Sequence, residues 1–235
     1  MSFANENNSS DSIRWINKLS NRNISIKNIS ELELLHNEII ADKDSALAYF
    51  CAIDFPYKIY LMQKVILDNK DAKYAFFFAQ NIINADIKAL QNIVSNSENI
   101  EYVTKFACFI KQADQKYLEN IVLESKNCKY ITMLIKYGKN INVNKFKKII
   151  LSSEKPSYLF ELAKHIDSQN EISKIEDLII KSKSFTYMRM FAEKIKKANV
   201  EKIEQAVIDL DNNEEIKKFA RVVKRSKMKQ FLLVG

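Results

Sequence analysis

The side chains that most often perform catalysis are sparse in this 235-residue chain and do not cluster in its sequence. The two histidines, His36 and His165, lie far apart, and neither belongs to a metal-binding pattern such as HxxxH with a carboxylate. We interpret both as structural, with His36 on a solvated face. Two glycines are too few for a glycine-rich phosphate loop, and no GxSxG motif is present.

Thiols and carboxylates show no recognisable site either. Cys51, Cys108 and Cys128 are odd in number, and their spacing fits neither a disulfide framework nor a zinc site. Most acids stand beside lysines at helix-surface spacing, as in EKIEQAVIDLDNNEEIKK, which is typical of a solvated face. The sequence therefore predicts a cytoplasmic protein with reduced thiols, no metal, no cofactor and no enzymatic activity.

Composition predicts an all-α fold. Apolar residues make up 47% of the chain, as in a globular protein, but two glycines and two prolines are too few for the turns of a sheet protein. No apolar run is long enough to cross a bilayer, and the first residues lack the basic and apolar regions of a signal peptide. We therefore expect no membrane partner.

A repeat of about 28 residues runs through the chain. Tyrosines recur at steps of 28 or 29 residues, and a column of Phe or Leu stands beside a column of small residues. The tyrosine column is Tyr74, Tyr102, Tyr130, Tyr158 and Tyr187. The large column is Phe50, Phe78, Phe106, Leu134, Leu162, Phe191 and Phe219, and we place it in the core. The small column is Cys51, Ala79, Ala107, Ile135, Ala163, Ala192 and Ala220, which lets helices approach closely.

Each repeat predicts two amphipathic helices with their own N-caps. Apolar residues follow helical spacing, and short polar residues precede each helix, where they accept bonds from free N–H groups. Predicted caps of the first helices are Asp71, Asn99, Asn127, Ser184 and Asn212, with Pro156 one place inside its helix. Predicted caps of the second helices are Asp86, Asp114, Asn142, Asn170 and Asn199.

Units this short bury their apolar faces only by stacking. The sequence thus predicts a right-handed α-solenoid of about seven to eight two-helix repeats in a single domain over residues 12–235, after a disordered lead at 1–11. An N-terminal capping unit covers 12–43, regular repeats cover 44–211, and a C-terminal capping unit with a short second helix covers 212–235.

The repeats, of which YAFFFAQNIINADIKALQNIVSNS is one copy, resemble HEAT, tetratricopeptide and pentatricopeptide arrays in architecture. Their amino-acid sequence is similar to that of short helical repeats in phage and large DNA virus proteins. This second resemblance implies a phage-type, anti-CRISPR-like inhibitor of a host or defence protein that handles nucleic acid. A third, in length and layout, is to HEAT-type DNA glycosylases, but those enzymes use several tryptophans and this chain has only Trp15.

Positive charge is concentrated towards the C-terminus of a chain whose net charge is +8. No acid follows Ile216, and the cations in that stretch are Lys217, Lys218, Arg221, Lys224, Arg225, Lys227 and Lys229. Repeat columns predict that many cations lie near first-helix ends, where the helix dipole favours them. They are also expected to form a basic ridge for an acidic protein or for phosphates.

Aromatic residues complete the candidate site. Phe77 occupies a column of variable polarity, from which we predict partial exposure near a partner. Phe109, Tyr137 and His165 share a column that predicts either seam packing or a stacking platform. The predicted partner-binding residues are Phe77, Phe109, Tyr137, His165, Lys196, Lys197, Arg221, Lys224 and Arg225.

Binding to a protein or nucleoprotein is the predicted function. Direct binding of RNA or DNA through the basic ridge is the alternative, and a glycosylase-type enzyme is a third hypothesis. Mixed charge on the second helices, at Glu119, Glu176, Asp177, Glu201 and Glu204, argues against a nucleic-acid groove.

Overall fold

The computed structural model describes residues 9–20 and 29–227, which form fifteen α-helices and no strand. Their contacts group into two compact units, with the boundary between Val122 and Leu123. The first unit contains α1 (Ser9–Leu19), α2 (Ile29–Asp42), α3 (Ser45–Asp54), α4 (Ile59–Asn69), α5 (Ala72–Asn81), α6 (Ile87–Ser95), α7 (Ile100–Phe109) and most of α8 (Gln115–Glu124). The second contains α9 (Cys128–Tyr137), a 3-10 turn (Val143–Lys145), α10 (Lys147–Ser152), α11 (Pro156–Ala163), α12 (Gln169–Lys181), α13 (Phe185–Lys194), α14 (Val200–Asp209) and α15 (Asn213–Val222).

Helices in both units pack mainly against their nearest neighbours along the chain. In the first unit, α5 contacts α3, α4, α6 and α7. In the second unit, α13 contacts α11, α12, α14 and α15. Each of these helices therefore packs against the next helix and the next but one on either side, as expected for stacked helix pairs.

Local N-caps explain most of the helix starts. The side chains of Asp71, Asn99, Asn127 and Asn212 accept backbone N–H bonds at the starts of α5, α7, α9 and α15. Those of Asp86, Asp114 and Asn199 do the same for α6, α8 and α14. Pro156 opens α11, where a missing N–H is tolerated. Ser184 and Asn142 occupy N-cap positions without a side-chain bond.

One predicted cap is wrong. Asn170 lies inside α12, which begins at Gln169 with Ser168 as its N-cap. The ammonium of Lys147 lies 2.7 and 2.8 Å from the two carboxylate oxygens of Glu171, in the first turn of this helix. The Ser168 hydroxyl accepts the N–H of Glu171, so a local cap earlier than the expected one explains why α12 starts before Asn170.

The second helix of each pair ends in left-handed backbone. After each even-numbered helix from α2 to α14, one residue has φ between 49° and 58°, a conformation that usually favours glycine. The residues are Lys43, Lys70, Glu98, Lys126, Glu154, Lys183 and Asp211. The chain therefore turns without glycine at every one of these points.

The predicted core columns are largely confirmed. Six of the seven large residues, from Phe78 to Phe219, are at most 1% exposed, and Phe50 is half-buried. The small column is buried except for Ala79, which is half-buried. Large and small residues thus alternate between packed helices, as close packing requires.

Phe77 contradicts the prediction of partial exposure, because it is 3% exposed. Its ring centroid lies 5.9 Å from that of Tyr49 in α3 and 6.4 Å from that of Tyr102 in α7. Phe76 is equally buried, and its ring lies 5.5 Å from that of Phe77. The two rings fill the seams between α5 and its neighbours on both sides, so Phe77 offers no surface to a partner.

Helix α1 is tied to the rest of the first unit by a buried tryptophan and a shared carboxylate. Trp15 is 4% exposed, and its indole N–H donates to Asp54 at 2.7 Å. The Tyr74 hydroxyl donates to Asp11 at 2.6 Å. Because α1 begins at Ser9, the predicted lead is wrong for residues 9–11, and the rest of it lies outside the described residues.

Within the described residues, every helix is too short or too polar to span a bilayer. The predicted short second helix of the C-terminal capping unit falls mainly on residues 228–235, which lie outside the described part of the chain. The prediction of a single domain over residues 12–235 stays a prediction.

Candidate partner-binding surface

In the first unit, Phe109 lies at the end of α7 on the wall of a cavity of about 570 Å³. The loop between α5 and α6 supplies the opposite wall, including Ile83, which is 80% exposed. Lys111 and the amides of Gln80 and Gln112 also line this cavity. Phe109 is half-buried, so it contributes one face to the cavity and packs with the other.

In the second unit, Tyr137 and His165 lie at corresponding helix ends, just as the repeat predicts. Tyr137 ends α9 and is 40% exposed, with the Lys136 ammonium 4.8 Å from its ring centroid. His165 follows α11 and is exposed, and its Nε2 lies 3.8 Å from a Glu161 carboxylate oxygen. Both rings are accessible, but each already has a charged neighbour.

Five predicted cations come together at the ends of α13 and α15, and we call them the C-terminal basic cluster. Its members are Lys196, Lys197, Arg221, Lys224 and Arg225. The Arg225 guanidinium donates to the carbonyl oxygens of Lys196 and Ile195, both at 2.9 Å, and to that of Ala192. Arg225 thereby satisfies carbonyls at the C-terminus of α13, which is where the helix dipole favours a cation.

Lys197 has a similar structural role one loop earlier. Its ammonium donates to the Asp167 carbonyl oxygen, and its own carbonyl accepts from the Gln169 side chain at 2.9 Å. The other three members, Lys196, Arg221 and Lys224, are exposed, and no acid among the described residues forms an ion pair with them. The cluster thus divides into two cations that hold loops together and three that face solvent.

The sequence suggested that the C-terminal cations lie far from any acid, but two of them form ion pairs. Lys218 lies 2.8 Å from Glu214 and 3.1 Å from Glu215. The Lys227 ammonium pairs with Glu201, on the preceding second helix. These acids precede Ile216 in the sequence, so the charged residues after Ile216 are all cations. Lys229 lies outside the described residues.

A column of side-chain hydrogen-bond acceptors was missed in the sequence. The Gln63 and Gln91 side chains accept the backbone N–H of Asp86 and Asp114 at 2.9 and 2.7 Å. In the second unit, Glu176 and Glu204 accept the N–H of Asn199 and Lys227, both at 2.7 Å. Gln63, Gln91 and Glu176 link successive second helices, and Glu204 links α14 to the segment that follows α15. We call these four residues the acceptor column. The signal was the spacing of Gln63, Gln91, Glu119, Lys147, Glu176 and Glu204, at 28 or 29 residues.

Burial changes the interpretation of the acids on the second helices. Glu176 and Glu204 are 2% and 7% exposed, so they hold the fold together instead of lining a surface. Burial raises the pKa of Glu176, against the opposing effects of the Asn199 N–H and Lys202. Asp177 and Glu201 pair with Lys202 and Lys227.

The side chains that could act in catalysis or bind a metal lie far apart, and most of them are buried. His36 is 1% exposed, contrary to its predicted solvated position, because it faces the interior and its ring stacks on Tyr57 at 6.1 Å. Burial, followed by the Lys58 charge, lowers the pKa of His36. Burial raises the pKa of the Cys51 and Cys108 thiols to about 12. Within the described ranges, no three His, Cys, Asp or Glu residues are grouped as metal ligands.

Comparisons of the chain with protein-family models, with curated proteins and with solved structures found no match.

Proposed function

We propose that the helix pairs of both units belong to one right-handed α-solenoid of about seven to eight repeats. Support comes from features that recur with the repeat: the N-caps, the left-handed residues and the acceptor column. The proposal is consistent with the resemblance in architecture to HEAT and tetratricopeptide arrays.

The function of this array is to bind a protein, without catalysis, and the partner carries an acidic surface. The observation that carries this proposal is the exposure of Lys196, Arg221 and Lys224 around loops that Arg225 and Lys197 hold in place. Three cations on a fixed framework keep their spacing in the free protein. Such a surface accelerates encounter with an acidic partner and favours it over neutral ones.

The resemblance to phage and viral repeats adds a biological setting to this proposal. An inhibitor of a host or defence protein needs affinity for one protein surface and no chemistry of its own. A target that handles nucleic acid would leave the inhibitor an acidic or nucleic-acid-bearing face to recognise. The partner would then be a protein or a nucleoprotein.

Direct binding of RNA or DNA is the second candidate, and the burial of Glu176 and Glu204 favours it. The sequence objection to a nucleic-acid surface was the mixed charge of the second helices. Three of those carboxylates, at Glu119, Glu176 and Glu204, are buried, and the other two are paired with lysines. The exposed Tyr137 ring, with Lys136 beside it, adds an aromatic surface in the same unit.

The test reverses the two exposed cations of α15 and its following loop, Arg221→Glu with Lys224→Glu, and leaves the structural Arg225 intact. A matched control, Lys88→Glu with Lys116→Glu, makes the same charge change at exposed sites of the first unit. Tagged parent, variant and control are used to capture proteins from nuclease-treated extract of the native host, and the captured proteins are identified. We expect parent and control to retain the same acidic protein and the variant to lose it.

A single-stranded oligonucleotide and a DNA duplex of the same sequence are titrated in parallel at several salt concentrations. If direct nucleic-acid binding is the function, the parent binds them, and each lost phosphate contact lowers the salt slope by about 0.7–0.9. Equal capture of the same protein by parent and variant would contradict the proposed role of the cluster.

A further inference from the structure

The first helices of the first unit and the last described helix of the second unit each carry exposed apolar side chains. Most inner helices have principal packing partners on both sides along the chain, whereas α1 packs mainly on α3, and α15 packs on α13 and α14. Terminal units of helical arrays usually close their outer face with polar residues. Exposed apolar side chains on these two faces therefore depart from the usual pattern.

The N-terminal face is apolar and acidic. Ile13 and Ile16, one turn apart on α1, are 53% and 60% exposed, and Leu34 on α2 is 55% exposed. Glu38 and Asp42 follow Leu34 at helical spacing, and both lie near the single cation Lys18, at 3.7 and 2.7 Å. Other acids of this stretch bond within the unit, Asp11 to Tyr74, Asp54 to Trp15 and Glu33 to Lys58. Glu38 and Asp42, which share Lys18, therefore carry the negative charge of the face.

The C-terminal face has the opposite charge. Arg221, Val222 and Lys224 are exposed at the end of α15, with Val222 at 41%. Described residues from Asn213 onward contain more bases than acids: Lys217, Lys218, Arg221, Lys224, Arg225 and Lys227 against Glu214 and Glu215. A small apolar centre beside cations thus complements the apolar and acidic face at the other end.

We propose that this surface binds a second copy of the chain head to tail, the C-terminal face of one copy on the α1–α2 face of the next. The inference rests on the proposed binding role of the C-terminal basic cluster and names one acidic partner for it. Stacking continues the packing of helix pairs that each copy already uses internally. The charges steer the two faces together, and Ile13, Ile16 and Leu34 lose water when covered.

An interface between two different faces is not completed by two copies. Each added copy leaves one free N-terminal face and one free C-terminal face, so association continues with concentration instead of stopping at a dimer. Because the steering is electrostatic, association weakens as salt rises. These two properties distinguish head-to-tail stacking from a symmetric dimer.

The experiment uses two variants of the full chain that each block one face. The first, Glu38→Lys with Asp42→Lys, reverses the N-terminal face, and the second, Arg221→Glu with Lys224→Glu, reverses the C-terminal face. Sedimentation velocity is measured for the parent, each variant and their equimolar mixture at low and high salt. The control again is Lys88→Glu with Lys116→Glu, which changes charge outside both faces.

We expect the parent and the control to form species that grow with concentration at low salt and return to the 27.4 kDa monomer at high salt. Each variant alone stays monomeric, since one of its faces is blocked. Their mixture associates again, because the two unchanged faces are complementary and the two reversed faces also carry opposite charges. A third variant, Ile13→Ser with Ile16→Ser, removes apolar surface without changing charge and also weakens association.

A parent that stays monomeric at low salt would overturn the inference, as would either charge variant associating like the parent. Neither result affects the proposed function, which is tested by capture of a different protein. Conversely, a parent that self-associates but captures no other protein would contradict the proposed function and retain the head-to-tail contact.

Discussion

The two units anchor their second helices to the following part of the chain at the same positions but with different side chains. In the first unit the acceptors are the amides of Gln63 and Gln91, and in the second they are the carboxyl groups of Glu176 and Glu204. An amide and a carboxyl group accept the same backbone N–H at similar distances. The repeat therefore fixes the bond but leaves the charge free to vary, and only the carboxyl version depends on pH.

Aromatic packing differs in a similar way. In the first unit, the rings of Tyr49, Tyr74, Phe76 and Tyr102 all lie within 6.4 Å of the Phe77 ring. In the second unit, the matching column holds Glu161, which is buried and pairs with Lys164 at 2.6 Å. The same place in the repeat thus accepts an aromatic ring or a buried ion pair. Both units have the same arrangement of helix pairs, but the side chains that fill equivalent positions differ between them.

Truncating Phe77 should have the largest effect. Phe77→Ala leaves a cavity between three helices and should lower the free energy of unfolding by about 3–5 kcal/mol. Chemical denaturation followed by circular dichroism measures the loss. The control is Ile83→Ala in the same unit, where an 80% exposed side chain should change stability by less than about 0.5 kcal/mol. If the two variants are equally stable, the Phe77 ring contributes no more to the free energy of unfolding than the exposed Ile83 side chain does.

Deleting an acceptor should have a smaller effect, and one that appears in both units. Gln63→Ala removes the acceptor of the Asp86 N–H, and Glu176→Ala removes that of Asn199. Both bonds are part-buried, so a donor left without its partner should cost about 1 kcal/mol, at the lower end of the range for buried groups. Denaturant midpoints measure both losses, with Lys174→Ala on the exposed face of α12 as a control. No loss in either variant would show that water replaces the acceptor.

The starts of the helices and the core could be predicted from the sequence because both depend on short-range patterns. A cap such as Asp71 needs only its own next turn, and Phe106 shares its column with other large apolar residues. Asn170 was predicted wrongly although the signal is local: Ser168 caps α12 and accepts the N–H of Glu171 three residues later. Two short polar residues stand close together there, and the repeat spacing favoured the wrong one.

Phe77 was predicted wrongly for a different physical reason. Its column contains Lys105 and Glu161, and polar residues were taken as a sign of exposure. Both are buried, at 5% and 7%, and each pairs with a residue one turn away on its own helix. Long charged side chains bury their stems, so a mixed column does not identify a surface. The sequence also did not show that Arg225 and Lys197 of the basic cluster bind carbonyl oxygens.

Stability should depend on pH with opposite signs at two carboxyl groups, one in each unit. In the first unit, the hydrogen bond from Tyr74 is the main reason that the pKa of Asp11 is lowered. Its contribution is present above the unfolded pKa and is lost as pH falls through the lower folded value. In the second unit, burial raises the pKa of Glu176. Its contribution is present below the unfolded pKa and is lost as pH rises through the higher folded value.

Two isosteric variants separate these effects. Asp11→Asn should lose stability relative to the parent at neutral pH and match it more closely in acid. Glu176→Gln, which copies the amide of the first unit, should gain stability relative to the parent at neutral pH, because it removes a buried charge but keeps the acceptor. Denaturation from acidic to neutral pH gives both differences. Parallel pH profiles for the two variants would contradict the proposed difference between the units.

The smallest effect should come from the left-handed residues, and it should be the same in both units. Lys70 and Lys183 are exposed, with φ of 55°, which costs a residue with a side chain roughly 1–2 kcal/mol. Glycine avoids that cost but loses roughly 0.5–1 kcal/mol through its greater freedom when unfolded. Lys70→Gly and Lys183→Gly should each therefore stabilise the protein by about 0.5 kcal/mol.

The control for the glycine variants is Lys174→Gly, at an exposed position within α12. There the backbone is right-handed, so glycine has no strain to relieve and should destabilise by about 1 kcal/mol. Denaturant midpoints of the three variants decide the question, since the same substitution should stabilise at two sites and destabilise at the third. A gain at Lys70 without one at Lys183 would show that the two units differ in backbone as well as in side-chain chemistry.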